Sequence, residues 1–174
     1  GDVFARQLLG VERPRIAMLS VGAEAGKGNR QVKETSELLQ KTSLNFVGNV
    51  EANDILLDKA DVVVCDGFVG NVVMKLSEGF GSALAEHLRT SLSGKLAQNE
   101  IDGVAKAIHE LSNPAESAGG GPLLGVNGVS VVGHGSARAE SLKRAIGIAK
   151  MAVETRFIEN INEELGKVRE AVGE

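Results

Sequence analysis

The stretch of residues 60–79 constrains the fold of this chain more than any other. Residues 62–65 form a short apolar run without a polar break, which is typical of a strand buried on both faces of a parallel sheet. Asp66 follows this run, and Gly67 lets the chain turn sharply into a segment whose apolar residues recur at helical spacing. Ligands bind at the carboxyl ends of strands in open α/β sheets, so the pattern predicts that Asp66 lies at a binding site.

Three more apolar runs predict strands at residues 15–21, 44–47 and 129–132. Helical patterns separate and follow them, including a helix at residues 30–41 that Asn29 is suited to cap. This alternation is typical of an α/β fold. We therefore expect all four strands to share one largely parallel sheet, with their polar ends at a common edge. These strands end at Val21, Val47, Cys65 and Val132.

Length and composition describe an ordinary globular chain. Its 174 residues are most simply one domain, and 43% of them are hydrophobic and 24% charged. A net charge of -4 without a dense Lys/Arg cluster argues against nucleic acid as a partner. No apolar run approaches the about 18 to 20 residues that span a bilayer. The single Cys65 fits a reducing cytosol, and a start at Gly1 without signal-peptide features indicates a processed or engineered piece.

The sequence carries no signature of a metal or dinucleotide cofactor. His87, His109 and His134 are scattered along the chain, and the acidic residues lack the spacing of metal ligands. The segment at residues 79–84, GFGSAL, ends in the wrong residue for a dinucleotide fingerprint and falls within a helical pattern. We therefore expect neither a metal nor a redox cofactor.

Two amphipathic segments predict a helical hairpin at about residues 83–111. Leucines recur at steps of four in the first segment, and a second apolar stripe runs from Ile101 to Leu111. The stripe is interpreted as core or partner packing, with membrane contact as the alternative. Three Lys/Arg and four Asp/Glu residues lie in this range, so attraction to anionic lipid has no electrostatic support.

A glycine-rich loop, GAEAGKGN, follows the first predicted strand and is a candidate anion site. Its glycines free backbone N–H groups to point at an anion, and Lys27 adds a positive charge. The loop is one residue short of a Walker motif, and Gly28 stands where Ser or Thr would bind magnesium. The spacing therefore favours a plain strand-to-helix turn or a differently built anion site.

Polar groups follow the other predicted strands as well. Asn49 and Glu51 come after the second strand, Asp66 after the third, and His134 with Ser136 after the last. Groups at one rim of a parallel sheet, beside helix N-termini, are suited to bind an anion such as phosphate. The alternatives are that Asn49 and Glu51 only shape a turn and that the histidine is structural. Cys65 is interpreted as structural, because strand alternation points it away from its neighbour Asp66.

At these residues the sequence resembles the phosphate acyltransferase family of bacterial phospholipid synthesis, PlsX. The resemblance lies in ERPRIAMLSVG, KGN, FVGNVE, ADVVVCDGFVGNVVMK and PLLGVNGVSVVGHGS. It implies a three-layer α/β/α sandwich with a mostly parallel sheet, similar to isocitrate dehydrogenase and phosphotransacetylase, with a protruding helical hairpin. It also implies that residues 1–174 form one domain that matches the C-terminal half of the longer family members.

The resemblance implies transfer of a fatty acyl group from acyl carrier protein to inorganic phosphate, giving acyl phosphate, without a cofactor. The family acts as a cytoplasmic homodimer in peripheral contact with the membrane, where a downstream membrane acyltransferase uses the product. Two alternatives stay open: a short-chain phosphate acetyl- or butyryltransferase, and a non-catalytic dimerisation fragment.

The polar groups at the predicted rim suit the chemistry of this transfer, and we expect the following residue roles. The expected catalytic residues are Asp66, His134 and Asn71, with Asp66 as a positioning group or proton acceptor and Asn71 as an oxyanion contact. The expected substrate-binding residues are Lys27, Asn29, Asn49, Glu51, Gly67, Lys75, Gly135 and Ser136. Ala137 and Arg138 depart from the small polar or acidic residues that are common in the family after this last turn.

Overall fold

The computed structural model describes residues 1–114, 118–133, 135 and 137–173. Its helices are α1 Asp2–Leu8, α2 Arg30–Leu39, α3 Gly67–Leu92, α4 Gln98–Ser112, α5 Ala139–Glu154 and α6 Phe157–Val172. Its strands are β1 Ile16–Leu19, β2 Phe46–Val50, β3 Val62–Val64, β4 Gly121–Pro122 and β5 Val131–Val132. They divide into two compact units. The first unit comprises Gly1–Asp66, Leu124–Ser130 and Ile148–Glu174, and the second comprises Gly67–Leu123 and Val131–Gly147.

The first unit contains a three-stranded parallel sheet in the order β2-β1-β3. All four residues of the central strand β1 are buried, as a continuous apolar run requires when both faces of a strand are covered. The α/β class and the parallel sheet predicted from the sequence are confirmed. Because the three strands are parallel, their carboxyl ends lie at one edge, with Leu19 beside Val50 and Met18 beside Val64.

Strand β2 contains a bulge that the sequence pattern did not predict. Ile16 pairs with Phe46, but the next residue of β1, Ala17, pairs with Gly48. Gly48 has a φ of 96°, a conformation that glycine adopts without steric cost. The strand therefore continues to Val50 instead of ending at residue 47, and Asn49 lies within it rather than after it.

Helices and ion pairs hold the first unit together. Val3, Leu8, Ala152 and Phe157 form a buried cluster, in which the rings of Phe4 and Phe157 meet edge to face at 6.3 Å. At the start of the sheet, Arg15 Nε and Nη2 donate to the two carboxylate oxygens of Asp61 at 3.0 and 2.9 Å. This bidentate pair fastens the beginning of β1 to the beginning of β3.

The second unit contains the predicted helical hairpin. Ser77 Oγ on α3 donates to the carbonyl of Ser112 at 3.0 Å, and Arg89 Nε lies 3.7 Å from Asp102 Oδ1, so α3 and α4 are antiparallel. The buried contact between the two helices is formed by small and branched residues: Gly81 and Ala85 on α3, and Ile101 and Ala105 on α4.

The leucines predicted to form the packing stripe of the hairpin do not all do so. Leu84, Leu96 and Leu111 remain 37%, 48% and 61% exposed. Because Gly81 and Ala85 are small, they allow the two helices to approach closely along their own face, which turns part of the leucine stripe outward.

The last predicted strand departs from the expected sheet. Within the described residues, β5 pairs antiparallel with β4, so the strand ending at Val132 belongs to a separate two-stranded sheet and not to the parallel one. Glycine makes this pairing possible, because a Cβ at Gly120 would collide with the carbonyl of Val132. His134 and Ser136, expected at the end of this strand, lie outside the described residues.

Candidate anion site

A cleft of about 360 Å³ opens in the first unit between the loop after β1, one side of α2 and strand β2. It brings together two residues that the sequence predicted as substrate-binding, Lys27 and Asn49. The lining residues are Ala23, Ala25, Gly26, Lys27, Lys33, Ser36, Glu37, Gln40, Phe46, Val47, Gly48 and Asn49. Strand β2 thus contributes the apolar residues Phe46 and Val47 as well as the polar Asn49, and the side from α2 is polar.

Asn49 fixes the glycine-rich loop to strand β2. Its Nδ2 donates to the carbonyl oxygen of Glu24 at 3.1 Å, and the residue is half-buried. A side-chain amide carries two N–H groups and a carbonyl, so one bond to Glu24 leaves further donor and acceptor capacity. Asn49 can therefore position the loop and contact a ligand at the same time.

Asn29 caps helix α2, as the sequence predicted. Its Oδ1 accepts a hydrogen bond from the backbone N–H of Val32 at 2.9 Å, which satisfies one of the open N–H groups of the first turn. The Oδ1 atom of Asn29 thus accepts from the helix, and an additional role of Asn29 in substrate binding stays a prediction.

Glu51 also takes part in local structure. Its side chain accepts from the backbone N–H of Asp54, and its own backbone N–H donates to Asp54 Oδ2 at 3.1 Å. This bond and Lys59 Nζ, 3.1 Å from the same carboxylate, lower the pKa of Asp54. The reciprocal contacts cap the short 3₁₀ turn Ala52–Asp54 and favour the turn-shaping interpretation of Glu51.

Asp66 follows β3 and directly precedes α3. It lies beyond the same sheet edge at which β1 and β2 end, and it is half-buried. Burial, and secondarily the negative charge of Asp66, raise the pKa of the neighbouring Cys65 thiol. A raised pKa disfavours the thiolate, in agreement with a structural interpretation of Cys65.

The remaining predicted residues belong to the second unit. Gly67 is the first residue of α3, and Asn71 and Lys75 lie one turn apart on the same helix. Lys75 Nζ pairs with Glu78 Oε2 at 2.7 Å. Gly135 is exposed in a turn, while its neighbours His134 and Ser136 are outside the described residues. The 360 Å³ cleft is built from the first unit alone, so the shared site that would include these residues stays a prediction.

Sequence reasoning missed the polar wall of the cleft. Lys33, Ser36, Glu37 and Gln40 recur at steps of three and four, so they lie on one side of α2. The spacing itself was visible in the sequence. Which side of the helix faces the loop was not, because that depends on how α2 is rotated against the sheet.

Comparison with known proteins identifies the family. Residues 1–160 match the family model described as fatty acid synthesis protein. Similar proteins, each named phosphate acyltransferase, occur in Heliobacterium modesticaldum, Desulfitobacterium hafniense and Thermodesulfovibrio yellowstonii. They are 42%, 44% and 40% identical over 97%, 95% and 98% of this chain, and over 51%, 51% and 50% of their own length.

The chain therefore spans about half the length of the curated relatives that it matches. The matched part includes the glycine-rich loop, the cleft and the hairpin. The match covers 160 of 174 residues, and the relatives are more than one third identical, so the proteins are homologous. The chain belongs to the fatty acid synthesis protein family, the family of phosphate acyltransferases that its sequence resembles.

Proposed function

We propose that this chain carries the phosphate-binding part of a phosphate acyltransferase, which transfers a fatty acyl group from acyl carrier protein to inorganic phosphate. The observation that carries the proposal is the cleft in which Lys27 and Asn49 meet at the carboxyl edge of the parallel sheet. The names of the relatives supply the reaction, and the cleft supplies a place for its anionic substrate.

The reaction needs three things from the protein. A phosphate oxygen attacks the thioester carbonyl, the carbonyl oxygen becomes an oxyanion, and the bond to the thiolate then breaks. The protein must hold phosphate close to the carbonyl, donate hydrogen bonds to the oxyanion, and accept any proton left on phosphate. We assign Lys27 to phosphate, Asn49 and Asn71 to orientation and the oxyanion, and Asp66 to positioning or proton acceptance.

The donor and the cellular setting belong to the same proposal. Acyl carrier protein is the donor that fits a fatty acid synthesis family. We propose that the enzyme is a cytoplasmic homodimer in peripheral contact with the membrane, where the acyl phosphate is handed to a membrane acyltransferase. In the part of the chain that the structure describes, no helix has the length and apolarity to cross a bilayer.

The test uses this chain alone and as a fusion protein, joined to the half of the Heliobacterium modesticaldum relative that it does not match. Both are incubated with phosphate and either long-chain acyl-acyl carrier protein or acetyl-CoA, and acyl phosphate is measured as its hydroxamate. We expect the fusion protein to form acyl phosphate from the acyl carrier protein donor. Product from acetyl-CoA alone would favour a short-chain phosphate acetyltransferase instead, and product from neither donor would favour a non-catalytic dimerisation fragment.

A further inference from the structure

We propose that Lys33 is a second phosphate-binding residue, which acts with Lys27 on one phosphate group in the 360 Å³ cleft. The proposal rests on the proposed function and adds a residue to that site. Lys33 lies on α2 one turn after the Asn29 cap, and both lysines line the cleft.

The ammonium group of Lys33 is available to a ligand. On the same helix, Arg30 Nε pairs with Glu34 Oε1 at 2.8 Å across four residues. Glu37 stands at that same spacing from Lys33, yet no ion pair within 4.0 Å joins Lys33 to any carboxylate among the described residues. Lys27 likewise forms no ion pair with a described residue. The two cations of the cleft are thus not neutralised by fixed carboxylate contacts.

The charge balance of the cleft selects an anion. Its lining carries two ammonium groups and one carboxylate, that of Glu37, whereas the whole chain has a net charge of -4. Two ammonium groups that line one cleft attract an anion more strongly than either does alone.

The ligand class that follows is a phosphate group, because it is negatively charged and has at least two non-bridging oxygens, one for each ammonium group. It can come from two sources: free inorganic phosphate, or a phosphodiester in the carrier arm of the acyl donor. The volume of about 360 Å³ falls within the range of small-molecule sites and exceeds what one phosphate ion fills, so it also accommodates an attached chain.

Phosphate binding to this chain tests the residue without reference to catalysis. Inorganic phosphate is titrated with the protein, and its ³¹P line width gives the dissociation constant. We expect Lys33→Gln to weaken binding about tenfold, the loss of one charge-assisted contact, and Lys33→Arg to restore most of it. Lys41→Gln removes an equal charge just beyond the same helix, outside the cleft lining, and should leave binding unchanged.

Kinetics of the fusion protein distinguish the two phosphate sources. A rise of KM for inorganic phosphate alone in Lys33→Gln assigns the group to free phosphate, and a rise of KM for the acyl donor alone assigns it to the carrier arm. Wild-type binding and kinetics in Lys33→Gln, with far-ultraviolet circular dichroism unchanged, would overturn the proposal. An inactive wild-type fusion protein that still binds phosphate through Lys33 would reject the proposed transfer reaction and leave the phosphate site standing.

Discussion

At the scale of single residues, the ion pair between Arg15 and Asp61 should make the stability of the fold depend on pH. Hydrogen bonds from the Arg15 side chain, then from its backbone N–H at 2.6 Å, lower the pKa of Asp61 from 3.8 to about 2. A carboxylate whose pKa is lower in the folded state stabilises that state above its unfolded pKa, and this contribution disappears as the pH falls through the folded pKa.

Asp61→Asn should therefore lower the free energy of unfolding at pH 7, and its difference from wild type should shrink as the pH falls from about 4 to about 2. Urea denaturation across this range measures the difference. Glu12→Gln, at an exposed position outside the pair, is the control. A difference between Asp61→Asn and wild type that stays constant across this pH range would show that the ion pair does not stabilise the fold.

We predict that Asp66 is essential for catalysis. Asp66→Asn in the fusion protein should abolish acyl phosphate formation, because an amide neither accepts a proton nor carries the charge that orients the site. The same result is expected of His134→Ala. The melting temperature should change little in both variants. Turnover close to that of the wild type would make the residue structural, and Glu12→Gln again controls for the loss of a carboxylate.

At the scale of elements, the α3–α4 contact depends on Gly81. A Cβ at this position would overlap the side chain of Ser112, whereas a Cβ at Gly79 on the same helix would meet open space. Gly81→Ala should therefore destabilise the second unit by about 1 to 3 kcal/mol through overpacking. Gly79→Ala should be neutral or stabilising by up to about 1 kcal/mol, because alanine has the higher helix propensity. Thermal denaturation of the two variants measures these changes in stability. Equal effects of the two substitutions would refute the close contact between α3 and α4 at Gly81.

The elements also show how far sequence patterns reach. Continuous apolar runs predicted β1 and β3, and Asn29 predicted the start of α2, because each depends on local chemistry alone. The two-residue strand β5 has too little pattern to show its partner, so its antiparallel pairing with β4 was not predictable. The outward orientation of the hairpin leucines depends on the small residues in the helix contact. The position of Lys33 in the cleft depends on how α2 is rotated against the sheet. Tertiary packing decides all three.

At the scale of the whole molecule, the chain carries apolar surface that its own described residues leave open. Val72, Leu76 and Phe80 recur at steps of four on α3 and are 48%, 70% and 67% exposed. Exposed apolar area of this kind is characteristic of contact with a partner or a membrane. It is consistent with the proposed homodimer and peripheral membrane contact.

Changing Val72, Leu76 and Phe80 of the fusion protein to serine should reduce its solution mass, its co-sedimentation with liposomes, or both. Lipid binding should depend little on salt, because apolar contact is not screened. Ile101 is left unchanged in this test, because it is buried between α3 and α4 and its loss would disturb the hairpin itself. Leu123→Ser, at another exposed leucine, is the control. An unchanged mass and unchanged sedimentation would leave this surface without a partner.

The bulge in β2 bears on how the family can vary in length. Pairing with β1 places Phe46 opposite Ile16 and Asn49 opposite Met18, so both side chains point to the same face although two residues, Val47 and Gly48, separate them. Deleting Val47 would leave a regularly alternating strand in which Phe46 and Asn49 keep that face and their partners. A variant without Val47 loses one apolar residue of the cleft lining but should still bind phosphate, which the same ³¹P titration measures; loss of all detectable binding would contradict this register. One more residue at this position would have to enlarge the bulge or shift the pairing of Asn49 by one place, which would turn its side chain to the other face; removing one residue requires neither change.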